Sequence, residues 1–197
     1  MRFVFDTYEP SQAIDVTQYL KNRKLSKYFN KETAAAIVGV GKLLDGAPVD
    51  LGTPFFYATG LLEYEDYGLN DIVANSVDAG NKYSQELFVA KGITNVSPLN
   101  QFKILQNMPL CFVSLAYGFQ GDNAVIYASA GGLINCALYA ATDGPVIIGA
   151  GKVTEDGRAA SGFAVVQKSD LAASPYLNSP AEAIEIFQAW AKGGRSG

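Results

Sequence analysis

Apolar and polar residues alternate along several short stretches of the chain in the way that a strand requires. Arg2–Tyr8 is the first of these stretches, and the aromatic-rich run 53–59 (TPFFYAT) is closed by Gly60. Further strands are predicted over residues 124–128 (AVIYA), 146–150 and 162–167, the last of them after a hairpin-type turn at 155–157. Because 124–128 is apolar at every position, we expect that strand to be buried on both faces.

Apolar residues at helical spacing predict helices between these strands. The predicted ranges are 13–20, 31–44, parts of 70–90, 99–117 and 130–141. Asn30 and Ser129 precede two of them and can act as N-caps, because a short polar side chain accepts a hydrogen bond from the first helical turn. Pro109 falls inside 99–117, where it should kink the helix or mark a break.

The last predicted helix has the clearest start signal in the chain. Ser179 is the expected N-cap, Pro180 takes the first helical position, and Glu182 completes a capping box. The inner stripe of this helix is Ala183, Ile186, Phe187 and Trp190. The alternation of strands and helices predicts a layered α/β architecture, with one domain over residues 1–192 and a flexible tail over 193–197.

Composition narrows the choice of partners. The chain has 197 residues, 49% of them apolar and 17% charged, which is enough for one well-filled core and leaves little charge for the surface. A low charged fraction often indicates a surface that meets another protein. The formal net charge of −4 argues against nucleic acid as a partner. No stretch has the apolar length of a membrane span and no signal peptide is recognised, so we expect a cytoplasmic protein.

Histidine is absent from the sequence, and this restricts the chemistry. A serine or cysteine nucleophile then lacks its usual general base, and a metal site lacks its commonest ligand. Cys111 and Cys136 lie in apolar, helix-like stretches, which indicates buried, reduced thiols rather than zinc ligands. The glycines at 131–132 and 149–151 do not fit the dinucleotide fingerprint. We therefore expect no cofactor and no metal.

Two charged clusters each allow two interpretations. The basic residues at positions 21, 23, 24, 27 and 31 form either a solvated connector or a patch for an acidic partner. Glu63, Glu65 and Asp66 form either a solvated loop or a carboxylate cluster capable of acid–base work.

Longer motifs over residues 24–166 resemble a known family. The segment ILQNMPLCFVSLAYGFQGDNAVIYASAGGLINCALYAA (104–141) is similar to the region around the nucleophile of β-ketoacyl synthases. PVIIGAGKV and SGFAVV resemble the two strands that follow it, and KLSKYFNKETAAAIVGVGKLLDGA resembles the family's early helix. The chain is thus similar to the N-terminal half of a ketosynthase, in the style of the short ketosynthase-like proteins of polyketide, fatty-acid and aryl-polyene pathways. The resemblance implies one half of a thiolase-like fold, a mixed sheet flanked by helices.

The resemblance places Ser129 where a working ketosynthase has its nucleophilic cysteine. A thiolate at that position is stabilised by a helix N-terminus, whose N–H groups also form an oxyanion hole. The family takes further catalytic residues, histidines or a histidine and an asparagine, from a C-terminal half that this chain lacks. The resemblance therefore implies a protein that is not an active enzyme. Ser129 stays open to two interpretations, a helix N-cap or a slow nucleophile, whereas Cys136, about two turns into the helix, is rejected as a displaced nucleophile.

Three functions stay open. The first is a silent homodimer, or a chain-length-factor-like partner of an active ketosynthase, with acyl carrier protein as a further possible partner. The family pairs one strand across its dimer axis, which would place Val125, Ile126 and Tyr127 at the interface. The second is a protein that holds an acyl or polyketide chain without turnover, in a pocket of Phe55, Phe112, Tyr117 and Ser129. The third is a hydrolase or acyltransferase built on Ser129.

Overall fold

The computed structural model describes residues 1–60, 69–95, 97–141 and 144–193. The acidic cluster of Glu63, Glu65 and Asp66 lies outside these ranges. The chain forms two compact units, one made of Met1–Glu63 with Gln106–Gly197 and the other of Tyr64–Leu105. The single domain expected over residues 1–192 remains a prediction.

The first unit is built on a five-stranded mixed sheet. Its strands are β1 (Arg2–Tyr8), β2 (Phe55–Thr59), β3 (Asn123–Tyr127), β4 (Val146–Val153) and β5 (Ala159–Val166). Their order across the sheet is β1-β5-β4-β2-β3. β4, β2 and β3 run parallel to one another, whereas β5 is antiparallel to both of its neighbours, β4 and β1.

Helices account for most of the remaining described chain. The α-helices are α1 (Lys31–Leu44), α2 (Leu69–Asn75), α3 (Gln85–Leu87), α4 (Pro98–Ile104), α5 (Met108–Tyr117), α6 (Ala130–Ala140), α7 (Lys168–Ala172) and α8 (Ile184–Gly193). Short 3-10 helices cover Thr17–Tyr19, Arg23–Tyr28 and Ile93–Asn95, and a π-helix covers Phe88–Gly92. No helix of the described ranges combines the length and the apolar character that crossing a bilayer requires.

The sheet of the first unit is covered on both faces. Residues of β2 alternate between the faces, so that Phe56 and Ala58 join the core cluster that contains α6 and α8. Phe55 and Tyr57 join the cluster on the opposite face, which contains α1 and α5. The predicted α/β class, a mixed sheet flanked by helices, is confirmed.

α1 packs on the Phe55 and Tyr57 face of the sheet, and its start was predicted from a capping residue. The Oδ1 atom of Asn30 accepts a hydrogen bond from the N–H of Thr33 at 2.8 Å, so Asn30 is the predicted N-cap of α1. Residues 13–20, in contrast, do not form the predicted helix, because Asp15 binds the N–H and the hydroxyl of Thr17 and only a single 3-10 turn follows.

The predicted helix over 99–117 is two helices. α4 ends at Ile104 and α5 begins at Met108, so the predicted break is confirmed. Pro109 lies in the first turn of α5, where its missing N–H costs no intrahelical bond.

Two expectations about the sheet and the last helix are wrong. The strand predicted as buried on both faces is β3, which lies at the edge of the sheet and is only half-buried along its described side chains. The last helix begins at Ile184 rather than at Pro180, and the N–H of Glu182 donates to Glu185 at 3.1 Å. The capping carboxylate is therefore that of Glu185. α8 runs to Gly193, and residues 194–197 lie outside the described ranges.

The second unit has a different character. It holds α2, α3, α4, the π-helix and a bridge between Val77 and Tyr83. Among its described side chains no apolar one is buried, although the Ser76 side chain is. Its exposed large apolar residues are Val73, Tyr83, Val89, Ile93, Leu99, Phe102 and Leu105.

Candidate functional site

Ser129 lies between the end of β3 and the first turn of α6. Its Oγ atom accepts a hydrogen bond from the N–H of Gly132 at 3.2 Å, and its backbone is extended, as an N-cap requires. The predicted start of this helix is therefore confirmed. The serine hydroxyl oxygen is therefore engaged with the first turn of the helix.

The other donors of this helix N-terminus are also occupied. We call residues 177–182 the strap, because this segment crosses the start of α6. The N–H of Ala130 donates to the carbonyl of Ala181 at 2.7 Å, and the N–H of Gly131 donates to the carbonyl of Ser179 at 3.0 Å. The first three N–H groups of α6 thus all have partners within the chain, although a helix start normally leaves such groups for caps, water or ligands.

Gly131 allows the strap to come this close. A Cβ atom at position 131 would lie 3.0 Å from the carbonyl oxygens of Leu177 and Ser179, closer than ordinary van der Waals contact. One turn further along α6, the side-chain amide of Asn135 donates to the carbonyl of Leu177 at 2.6 Å. Gly131 is therefore a position of close approach between α6 and the strap backbone.

A cavity of about 200 Å³ lies between residues 180–184, which include the end of the strap, and the ends of the strands. One wall is formed by the carboxyl ends of the parallel strands β2, β3 and β4 and the other by residues 180–184. Ligand sites of open α/β sheets commonly lie at this edge. The residues of the strand wall are Ala58, Thr59, Gly60, Ala128, Ser129 and Gly151.

An ion pair joins the strap to the sheet. The ammonium of Lys152, near the end of β4, lies 2.9 Å from both carboxylate oxygens of Glu182. The two side chains retain 20% and 39% of their exposure, so solvent screens this attraction. The Lys152 ammonium is therefore paired with Glu182.

A buried carboxyl group lies on the other face of the sheet from α6. Glu32 of α1 accepts a hydrogen bond from the hydroxyl of Tyr57 at 2.7 Å, and Thr59 also bonds it. Burial raises the pKa of Glu32 above its usual range, and the two hydrogen bonds offset this only in part. Burial, together with the neighbouring Glu32, also raises the pKa of Tyr57 well above the ordinary value. This pair could not be predicted from the sequence, because its members are 25 residues apart.

The structure does not bring the predicted acyl-pocket residues together. Phe55, Phe112 and Tyr117 belong to the core cluster between the sheet, α1 and α5. Phe55 is packed against Phe119 and Phe163, and the Tyr117 hydroxyl donates to the carbonyl of Ile37 at 2.7 Å. Ser129 lines the cavity on the α6 side, which none of the three aromatic residues lines. The aromatic side chains are core residues, because alternation along β2 turns Phe55 away from α6.

The residues predicted for a dimer interface lie on the edge strand. β3 pairs with β2 through a register that aligns Val125 with Tyr57, and no strand of the described chain pairs with its other edge. Beside it, α6 carries no charged residue. A groove of about 580 Å³ lies between the two elements, and Tyr139 on its rim is 96% exposed. The groove is lined by Phe56, Ala124, Asn135, Cys136, Leu138, Tyr139 and Ala140.

Comparison with known proteins gives a likeness of fold. No protein-family model matches the chain, and no curated protein matches it. The chain is similar to a solved structure described as a type II PKS acyl-carrier protein in complex with its ketosynthase bound to the hexaketide (AntDE:AntF, apo). The identity is 15%, the TM-score is 0.52, and the match covers 82% of this chain and 54% of that chain. This chain therefore spans about half the length of the solved chain it matches, and at this identity the likeness concerns the fold alone.

Proposed function

We propose that this chain is a catalytically silent, ketosynthase-like subunit of a fatty-acid or polyketide pathway, which associates through β3 with a second subunit. The second subunit is either another copy of the chain or an active ketosynthase. The motif resemblance around Ser129 supports the family, and the similar solved structure, whose description names a ketosynthase, is consistent with it.

The observation that carries the proposal is the occupied start of α6. Covalent acyl transfer needs a nucleophile with a base and N–H donors left free for the developing oxyanion. At this position the serine oxygen caps Gly132, and the carbonyls of Ala181 and Ser179 take the N–H groups of Ala130 and Gly131. The sequence also contains no histidine. The strand and helix around Ser129 are present, but the backbone N–H donors at the start of α6 bond within the chain. This arrangement is expected of a subunit with a structural role.

Association through β3 is supported by what that edge presents. An unpaired strand edge offers backbone donors and acceptors to another strand. The neighbouring helix α6 has no charge that would resist burial, and a fully exposed tyrosine is the kind of residue that anchors interfaces. A two-fold contact brings like surfaces together, and uncharged surfaces meet without repulsion.

Native mass spectrometry of the gently purified chain tests this proposal. We expect a dimer, or a complex with a ketosynthase-sized chain, and we expect Tyr139→Asp to dissociate it. Tyr83→Asp is the matched control, because Tyr83 is a tyrosine exposed on the second unit, and this change should leave the complex intact. A monomer at micromolar concentration in the unmodified protein would contradict the proposal.

The apolar groove beside β3 favours a second candidate function, the holding of an acyl or polyketide chain without turnover. Its lining is mostly apolar and reaches the sheet at Phe56, as a hydrocarbon site requires. The same mass measurement separates the two functions. A monomer whose mass exceeds that of the chain by one acyl group would support ligand binding, and an unliganded dimer would support association.

A further inference from the structure

We infer that the strap is a hinged cover over the cavity at Ser129, held closed by the ion pair between Lys152 and Glu182. This inference concerns how access to the site described above is controlled. It rests on the proposed function only for the biological role assigned to that site. The opening itself is a property of this chain and is measured independently of association.

The first argument is the distribution of burial along the segment. None of the six strap residues is buried, whereas Leu171 before it and Ala183 and Ile184 after it are at most 4% exposed. The strap therefore lies between two apolar anchors, and its own apolar contact with the core is the partly buried Leu177 at its start. Segments with little buried apolar surface open locally at a lower free energy than the core does.

The second argument is that the strap spans a cavity. The space of about 200 Å³ separates residues 180–184 from the strand ends at Ala58, Gly60 and Gly151. Close packing against the sheet would leave no such space, because protein interiors rarely contain voids larger than a water molecule. The part of the strap from Pro180 to Glu182 thus has this space, rather than packed side chains, between it and the strand ends.

The third argument is the nature of the strap's two attachments. On the α6 side the strap accepts hydrogen bonds from the N–H groups of Ala130 and Gly131 and from the Asn135 amide. On the β4 side the Lys152 ammonium binds both carboxylate oxygens of Glu182. All these contacts are polar, and the ion pair is partly exposed to solvent, so salt weakens it.

Opening would change what the site presents. The hydrogen bonds from Ala130 and Gly131 to the strap would break, and two backbone donors at the start of α6 would face the cavity beside Ser129. In the closed form these two N–H donors are not available to a ligand, because they donate to carbonyl groups of the strap. The strap therefore controls whether these two donors are free to bind a ligand, and the Lys152–Glu182 pair holds it closed.

Amide hydrogen exchange of the full chain, followed by NMR, tests the inference. We expect Lys152→Met, which keeps most of the apolar stem and removes the charge, to speed exchange of the Ala130 and Gly131 amides about threefold, the scale expected for a partly exposed ion pair. The amide of Ile147, which donates to the carbonyl of Pro54 within the sheet region, should keep its rate. In the unmodified protein, added salt should speed the same two amides selectively.

Arg158→Met is the matched control. It breaks the other ion pair of the β4–β5 region, between Arg158 and Asp156 at 2.6 Å, without touching the strap. It should leave the Ala130 and Gly131 amides unchanged. Gly131→Ala is a second route to the open form, because its Cβ atom would press on the strap backbone.

Selective exchange of the amides at positions 130 and 131 in Lys152→Met, and of the Ala130 amide in Gly131→Ala, would support the hinged cover. If these amides exchange only together with Ile147 in every variant, the strap opens only with the whole fold and the inference is overturned. Native mass spectrometry of the same variants keeps the two proposals apart, since a strap that never opens leaves association through β3 untouched.

Discussion

Among single residues, Glu32 sets the pH behaviour of the core. Its side chain is buried between α1 and the sheet, and its described partners are the hydroxyls of Tyr57 and Thr59. A carboxyl group in such surroundings keeps its proton to a higher pH than in water, because burial disfavours the charge. The folded chain therefore binds this proton more tightly than the unfolded chain does.

The sign of the pH dependence follows from this difference. Since the folded pKa of Glu32 is raised, its contribution to stability is complete below the unfolded pKa and is lost as pH rises toward the folded pKa. We expect Glu32→Gln to remove this loss, because an amide still accepts from Tyr57 and does not ionise. Over the interval where only the unfolded state is ionised, the free energy of unfolding of the unmodified chain should fall relative to Glu32→Gln by about 1.4 kcal/mol per pH unit.

Urea unfolding at a series of pH values above 4 measures this slope. The control is Glu155→Gln, which makes the same change at an exposed turn residue and should leave the slope as it is. Parallel curves for Glu32→Gln and the unmodified chain would show that Glu32 titrates alike in the folded and unfolded states.

At the scale of elements, α1 is the helix on which one layer of the core depends. Most of its residues are buried, and its start is fixed by the bond from the N–H of Thr33 to Asn30. We expect Asn30→Ala to cost about 1 kcal/mol of unfolding free energy and Asn30→Asp to cost much less, because aspartate caps as well as asparagine. Chemical denaturation measures both changes.

Asn22→Ala is the control for this cap. Asn22 accepts a similar bond from Lys24, at 3.1 Å, but it begins a short, exposed 3-10 helix. Its loss should stay within about 0.5 kcal/mol, as for most surface changes. Equal losses at Asn22 and Asn30 would contradict the central place given to α1.

The same elements show what the sequence could predict. Asn30, Ser129 and Pro109 were interpreted correctly because caps and breaks depend on residues within one helical turn. The place of β3 at the edge could not be predicted from its apolar pattern, since such a strand has the same pattern in the middle of a sheet as at its edge; only the family resemblance implied a free edge there. The role of Glu182 was missed because its partner Lys152 is 30 residues away.

The candidate site also has some features that the sequence could predict and others that it could not. Ser129 could be found from the sequence, because a local motif marks it. The strap that crosses the start of α6 could not be predicted, because nothing in residues 177–182 indicates which helix they cross. The grouping of Phe55 with Ser129 failed for a related reason, since the face to which a strand residue points follows from packing as well as from alternation.

For the whole molecule, the division into two units implies unequal local stability. All five strands and every buried apolar side chain of the described ranges lie in the first unit. The described part of the second unit is held by hydrogen bonds such as those between Ser84 and Ser76 and between Asp78 and Lys82. Free energies of local opening follow buried apolar contacts, so the second unit should open first.

Limited proteolysis with thermolysin, which cuts before large apolar residues, tests this order. We expect the first cuts inside residues 64–105, near exposed side chains such as Val73 and Val89, while the two parts of the first unit stay together as a folded core. The β4–β5 turn at 155–157 is the internal control, because it is exposed but lies between two core strands. First cuts at that turn, or at any site outside 64–105, would contradict the prediction that the second unit opens before the first.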